Sequence, residues 1–268
     1  MSKIRVGAVS YLNTKPLVFG IDSFEDCIVT YDLPSRLADQ LAAGQLDVAL
    51  IPSIEAVVPG DYTIVSDACI ACRGPVWSVK LVSRKPMNEI RSLALDEGSR
   101  TSAALAQAIL AEKYSLQPDL EPLKIDEPWQ DSTSDAVLII GDRAMHPLRS
   151  AEFSFEWDMG EYWNSWTELP FVFAVWAARP GTDLSRLASI LTECRDLGLA
   201  NIGSICDTDH QRYGLTPEAC HNYLSKNLHY FLGEQEKAGL ASFIAKAKAC
   251  SLIPNHSTLE FYDCQTAG

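Results

Sequence analysis

Donor-rich polar residues gather in this chain where apolar runs end. Ser10-Tyr11-Leu12-Asn13-Thr14-Lys15-Pro16 follows the run Ile4–Val9, and Pro52-Ser53-Ile54-Glu55 follows Asp47–Ile51. Ser99-Arg100-Thr101-Ser102 follows Leu93–Leu95, and Gly141-Asp142 follows Ala136–Ile140. At the first junction Asn13 or Thr14 suits an N-cap, with Pro16 in the first helical turn. A strand that runs into a helix start leaves backbone N–H groups without intrahelical acceptors, and these favour a carboxylate or phosphate. The repetition of such junctions points to capture of a small anionic molecule by several helix starts.

The elements that must hold these junctions read as β-α-β-α-β in the first third. Strand Ile4–Val9 leads to a short helix over residues 14–20 and a strand over 27–31. Pro34 then opens a helix with Leu37, Ala38, Leu41 and Ala42 on one face, closed by Gly44. Asp47–Ile51 is a buried strand, and the alternation implies a parallel sheet whose strand ends share one edge. Strands are expected over 62–65 and 76–83. The pattern restarts near Arg84, with a strand over 93–95, a strong helix from Ser99 to Tyr114 and a strand over 136–140. Phe171–Ala178 is a continuous apolar run suited to a returning strand, and amphipathic helices are expected over 184–197, 217–230 and 235–249. Extended crossings near Leu81–Arg84 and Phe173–Trp176 would then join two lobes. The first takes residues 1–83 and 175–268, the second 84–174, with the active site in the cleft between them, where ligands commonly bind.

A chain of 268 residues with 47% hydrophobic and 21% charged residues has the composition of a globular protein able to bury a full core. Its net charge of −13 excludes a non-specific nucleic-acid partner, which needs a basic face. No stretch has the pattern of a secretory leader or the length of a membrane span, so a cytoplasmic protein with no membrane partner is expected. The eight cysteines are then read as reduced thiols. Cys69 and Cys72 form a single CxxC without a second pair, which makes a metal or redox centre there a minor reading. Cys27, Cys194, Cys206, Cys220, Cys250 and Cys264 lack ligand spacing and suit a core.

Six blocks in this order carry a family resemblance: Tyr11-Leu12-Asn13-Thr14-Lys15-Pro16-Leu17, Leu50-Ile51-Pro52-Ser53-Ile54-Glu55, Ser78-Val79-Lys80-Leu81 with Ser83-Arg84, Ser99-Arg100-Thr101-Ser102, Ile140-Gly141-Asp142 and Leu169-Pro170-Phe171-Val172-Phe173-Ala174-Val175-Trp176. From Val6 to about Phe243 the chain resembles the chorismate dehydratases of the futalosine route to menaquinone, in the family they share with 1,4-dihydroxy-6-naphthoate synthase. The resemblance implies a bilobed α/β architecture of the type II periplasmic-binding-protein kind. It also implies conversion of chorismate to 3-[(1-carboxyvinyl)oxy]benzoate and water, a hydro-lyase reaction. No cofactor is implied, because no electrons leave the substrate. The chain carries no glycine-rich dinucleotide fingerprint, Walker loop or metal quartet. Oligomeric state is not legible.

Under this resemblance Asn13 is the expected catalytic residue, orienting the leaving hydroxyl or the enolpyruvyl group, with a helix cap as its competing role. Ser99, Arg100, Thr101 and Ser102 are expected to hold a carboxylate from one helix start, or to cap that helix alone. Tyr11 packs on the substrate ring or lies in the core. Ser53 faces the same edge or caps, and Ser78 points into the cleft or fills space. Asp142 ends a buried strand, where an acid needs hydrogen bonds, and it holds structure or touches substrate. Loss of the C3 proton places charge that delocalises into the ring carboxylate, so donors fixed there favour elimination. Glu55 and Asp142 are possible bases, yet a carboxylate meets repulsion beside a dianion. The substrate's own enolpyruvyl carboxylate is the favoured base. The competing functions are the sister synthase, which depends on a histidine base in the second lobe and directs attention to His146, and a non-catalytic small-anion-binding protein.

Overall fold

The computed structural model describes residues 3–57, 62–146 and 152–262. Along the chain run β1 (Ile4–Val9), β2 (Cys27–Asp32), α1 (Pro34–Ala42), β3 (Val48–Pro52), β4 (Thr63–Cys72), β5 (Val79–Ser83), β6 (Ser92–Asp96), α2 (Arg100–Tyr114) and β7 (Asp119–Leu123). Then follow β8 (Ala136–Ile140), β9 (Phe155–Asp158), α3 (Met159–Thr167), β10 (Phe171–Ala178), α4 (Leu184–Ala200), α5 (Ile202–Asp209), α6 (Pro217–Asn222), β11 (His229–Phe231) and α7 (Glu234–Ala249). They form two sheets, one of six strands ordered β11-β4-β10-β3-β1-β2 and one of five ordered β7-β6-β8-β5-β9.

Burial explains the order. β3, β5, β8 and β10 are buried along their whole length and lie inside the sheets, where both faces are covered. The more exposed β2 and β7 take the edges. The β1, β2 and β3 pairings are parallel, as are those of β6 with β7 and β8. The later strands are antiparallel: β10 against β3 and β4, and β5 against β8 and β9. The expected parallel sheet is therefore mixed, because the chain re-enters each sheet from the other lobe.

Sheet membership also moves the crossings. Val79–Ser83 is hydrogen-bonded into the second sheet, and all of Phe171–Ala178 into the first. The chain changes lobes over residues 73–78 and again through α3 and residues 168–170, not at 81–84 and 173–176. The two crossings run side by side: a Cβ on Gly160 would sit 2.5 Å from Cys72 Sγ and 2.7 Å from the Gly74 carbonyl. Trp163 fastens the second crossing to the core, edge-on to Phe171 at 5.2 Å, with its indole N–H donating to the Pro170 carbonyl at 3.0 Å. Burying such a side chain contributes roughly 1.5–3 kcal/mol.

Other differences have local causes. Asn13 and Thr14 cap nothing: Leu12–Val18 is a 3-10 turn with Tyr11 at its extended N-cap position and no side-chain cap. α4 sets the place of this turn, because a Cβ on Gly198 would lie 2.0 Å from the Pro16 carbonyl oxygen. The expected helix over 217–230 breaks after α6 into a π turn, Tyr223–Asn227, and then β11. Cys69 and Cys72 are buried on β4, three residues apart and so on opposite faces, and burial pushes the Cys72 thiol up to about 12. They are not placed to share a metal. Cys264 lies outside the described residues, and among those described no helix is long and apolar enough to cross a membrane.

Candidate active site

A cleft of about 490 Å³, part of it open to solvent, lies where the ends of β1, β3 and β8 and the start of α2 converge. Ile70, Val76, Val79, Ile140 and Phe173 give it apolar walls, as small-molecule sites commonly have. Its polar lining is Tyr11, Asn13, Ser78, Ser99 and Ser102, five of the nine residues singled out above. Among the described lining residues, Tyr11 alone carries an ionisable side chain.

The Tyr11 ring crosses from the first lobe onto the second. A Cβ on Gly141 would lie 2.8–3.0 Å from three of its ring carbons, and Gly141 also holds φ +69°, so both space and backbone require glycine there. The Tyr11 hydroxyl reaches the head of α2, 3.0 Å from where a Cβ on Gly98 would stand. It is buried and has no hydrogen-bond partner among the described residues. Burial, with Asp96 and Asp142 nearby, holds its pKa far above that of an ordinary tyrosine, so it is a neutral donor. Beside it, Ser99 caps α2 by accepting from Ser102 N–H at 3.2 Å, and its hydroxyl donates to Ser102 Oγ at 3.0 Å. The first-turn N–H groups of Arg100 and Thr101 have no intrahelical acceptor and carry the positive end of the helix dipole.

Asn13 accepts a hydrogen bond from the Thr14 hydroxyl at 3.2 Å. Asn13 and Ser78 lie close enough to the phenol of Tyr223 to lower a pKa that burial raises. Tyr223 opens the π turn, is 1% exposed and packs edge-on to Trp77 at 5.6 Å. Sequence reasoning missed it. A lone tyrosine in a stretch of helical pattern gives no signal, and only the π turn brings its hydroxyl to the two cleft residues.

The other four candidates lie outside the lining. Ser53 donates to the Val172 carbonyl at 2.7 Å and stands 3.4 Å from Thr101 Oγ1, which accepts from Ile54 N–H at 3.2 Å. Their hydroxyls are spent joining the turn after β3 to β10 and to α2. Arg100 turns outward to Asp39 and to Glu55, at 2.8 and 3.1 Å. That contact also occupies Glu55, one of the bases considered. Asp142 accepts from Leu12 N–H at 3.2 Å across the lobes. Burial raises its pKa to about 6, against the opposing effects of that N–H and of Arg212. His146 is exposed, with Cε1 3.1 Å from where a Cβ on Gly214 would stand, and it does not line the cleft.

A family model described as menaquinone biosynthesis matches residues 4–249. The chain belongs to that family. It is 29% identical over 262 residues to a chorismate dehydratase of Thermus thermophilus, covering 89% of this chain and 93% of the relative. Among solved structures, a protein of Archaeoglobus fulgidus superimposes with a TM-score of 0.73 at 16% identity, over 94% of this chain and 98% of that one. A Candida albicans protein described as having the generic periplasmic binding protein fold gives 0.58 at 10% identity, over 99% and 100%. The architecture is thus periplasmic-binding-protein-like. In this member of the menaquinone-biosynthesis family, the blocks that carried the resemblance sit at the strand ends and crossings that meet around the cleft.

Proposed function

We propose that this cleft binds chorismate and removes water from it, giving 3-[(1-carboxyvinyl)oxy]benzoate for menaquinone biosynthesis. One observation carries the reading: the lining offers neutral donors and an apolar wall, and among its described residues no carboxylate, imidazole or amine that could serve as a base. The first turn of α2, Ser99, Ser102 and the Tyr11 hydroxyl hold the ring carboxylate. Asn13 and Ser78, braced by Tyr223, orient the enolpyruvyl group and the C4 hydroxyl. The enolpyruvyl carboxylate takes the C3 proton, and the electron pair delocalises into the ring carboxylate. Expulsion of the C4 hydroxyl, which takes up a proton, then completes one water and an aromatic ring. Held donors stabilise the developing charge without rearranging, and the protein supplies near-attack geometry in place of a base.

The position of His146 outside the cleft favours this reading over the sister synthase. The test is to incubate metal-stripped, dialysed protein with chorismate and follow the product by mass and absorbance. A product lighter than chorismate by one water, with an aromatic spectrum, is expected. Chorismate bound but unchanged would make the protein a binder of small anions, and strict dependence on added metal or nucleotide would overturn the cofactor-free mechanism.

A further inference from the structure

We propose that Asp158 is a positioning residue for this reaction, fixing Trp77 and through it Ser78 against the cleft wall. The inference rests on the reading of the cleft as the chorismate site.

Asp158 closes β9 and caps α3, with Oδ1 accepting from the N–H groups of Gly160 and Glu161 at 3.0 Å each. A helix cap needs no more than this oxygen. Yet Oδ1 also accepts from Val76 N–H at 2.9 Å, and Oδ2 accepts from Trp77 N–H at 2.6 Å. One carboxylate therefore ties the start of the second crossing to the middle of the first. Trp77 needs that tie, because it holds φ +65°, a left-handed conformation that side chains other than glycine and asparagine rarely take.

Everything downstream of Trp77 leads into the site. Its ring packs edge-on to Tyr223, whose phenol lies beside Ser78 and Asn13. Ser78 is the next residue, lines the cleft, and its carbonyl accepts from Gly141 N–H at 2.9 Å. Asn227, at the end of the same π turn, donates to the Pro75 carbonyl at 3.0 Å, so the crossing and the tyrosine are held as one unit. A tryptophan freed from Oδ2 would relax its backbone and swing the serine that follows.

The structure supplies a selective variant. Asp158→Asn keeps Oδ1 and its three donors, and asparagine caps helices as well as aspartate does. It changes only Oδ2, setting an NH2 donor against the Trp77 N–H. The expected result is a normally folded protein whose kcat on chorismate falls about 10- to 100-fold, the scale of a sub-ångström to ångström misplacement, with KM much less affected. In a Ser78→Ala background the same change should add little, since the group it positions is already gone. Asp158→Ser caps α3 but has no oxygen for Trp77, and it must show the same kcat loss should the asparagine variant fold poorly. If the Asp158 and Ser78 effects multiply, Asp158 does not act through Ser78, and if the folded fraction of either Asp158 variant keeps full kcat, Asp158 is a cap alone; either result overturns the inference. An inert wild-type protein overturns the chorismate reading and this inference with it, whereas with an active wild type a failure falls on Asp158 alone.

Discussion

Tyr11→Phe should move stability and activity in opposite directions. The phenyl ring keeps its packing on Gly141, so the contact between the lobes is unchanged. What disappears is a buried hydroxyl that has no partner among the described residues. An unsatisfied buried donor costs about 1–3 kcal/mol, and its removal should raise the unfolding free energy of the free protein by up to that amount. When substrate is bound, the proposal gives the same hydroxyl a carboxylate, in a charge-assisted hydrogen bond worth about 1.5–3 kcal/mol. Losing that bond should lower kcat/KM for chorismate about 10- to 150-fold. Urea denaturation of the free protein and initial rates of chorismate loss measure the two quantities on one preparation. A phenylalanine variant with lower stability and unchanged kcat/KM would show that the hydroxyl serves the fold, and would remove Tyr11 from the substrate-binding set.

Asn13→Ala should lower turnover about 10- to 1,000-fold with little change in denaturation midpoint, because Asn13 caps no helix; full activity in the folded variant would exclude it from catalysis. Asn13→Asp should fold normally yet turn over poorly, since it sets a negative charge beside a dianion, and unchanged kinetics would make the residue structural. The Asp142 carboxyl is raised from 3.8 to about 6 by burial, so ionising it costs the folded state. Wild-type stability should therefore fall as pH rises from about 4 to 6 and level off above. Asp142→Asn, which can still accept from Leu12 N–H, should gain on wild type across that window by about 3 kcal/mol, and denaturation curves at pH 3.5 and 7 that shift equally would refute the assignment. Arg100→Ala should cost less than about 1 kcal/mol of stability, because Arg100 itself and its bidentate partner Asp39 are solvent-exposed, and leave the turnover of the folded protein unchanged; a large kinetic defect would return Arg100 to the site.

Strands with buried runs and helices with a strong start were legible from sequence. Ile4–Val9 and Ala136–Ile140 fall where their apolar runs put them, and Ser99 caps the helix that follows it. The crossings were not, because a continuous apolar run such as Phe171–Ala178 looks the same between lobes as inside a sheet. The 3-10 turn after Tyr11 hid for a related reason: a polar pair ahead of a proline fits a helix start whether or not the turn tightens. The candidate site was legible as a set of junctions but not as a set of side chains. Ser53 and Thr101 have the same chemistry as Ser99 and Ser102, and only the packing of α2 against the turn after β3 decides which pair faces the cleft and which joins neighbouring elements. Tyr223 and Asp158 depend on contacts between segments distant in the chain, which local pattern cannot carry.

The absence of a cation from the described cleft lining has a kinetic consequence for a molecule whose net charge is −13. Recognition by hydroxyls, an amide and a helix dipole acts over a few ångströms, whereas the field of the whole surface reaches about 10 Å at moderate salt. On the proposed reading, a dianionic substrate arriving from solution meets the repulsion of the net charge first and the attractive groups only at the cleft mouth. Dissolved salt then hastens encounter by screening that repulsion, opposite to the steering of enzymes whose sites advertise positive charge. Such a cleft discriminates at contact and leaves capture at a distance to diffusion.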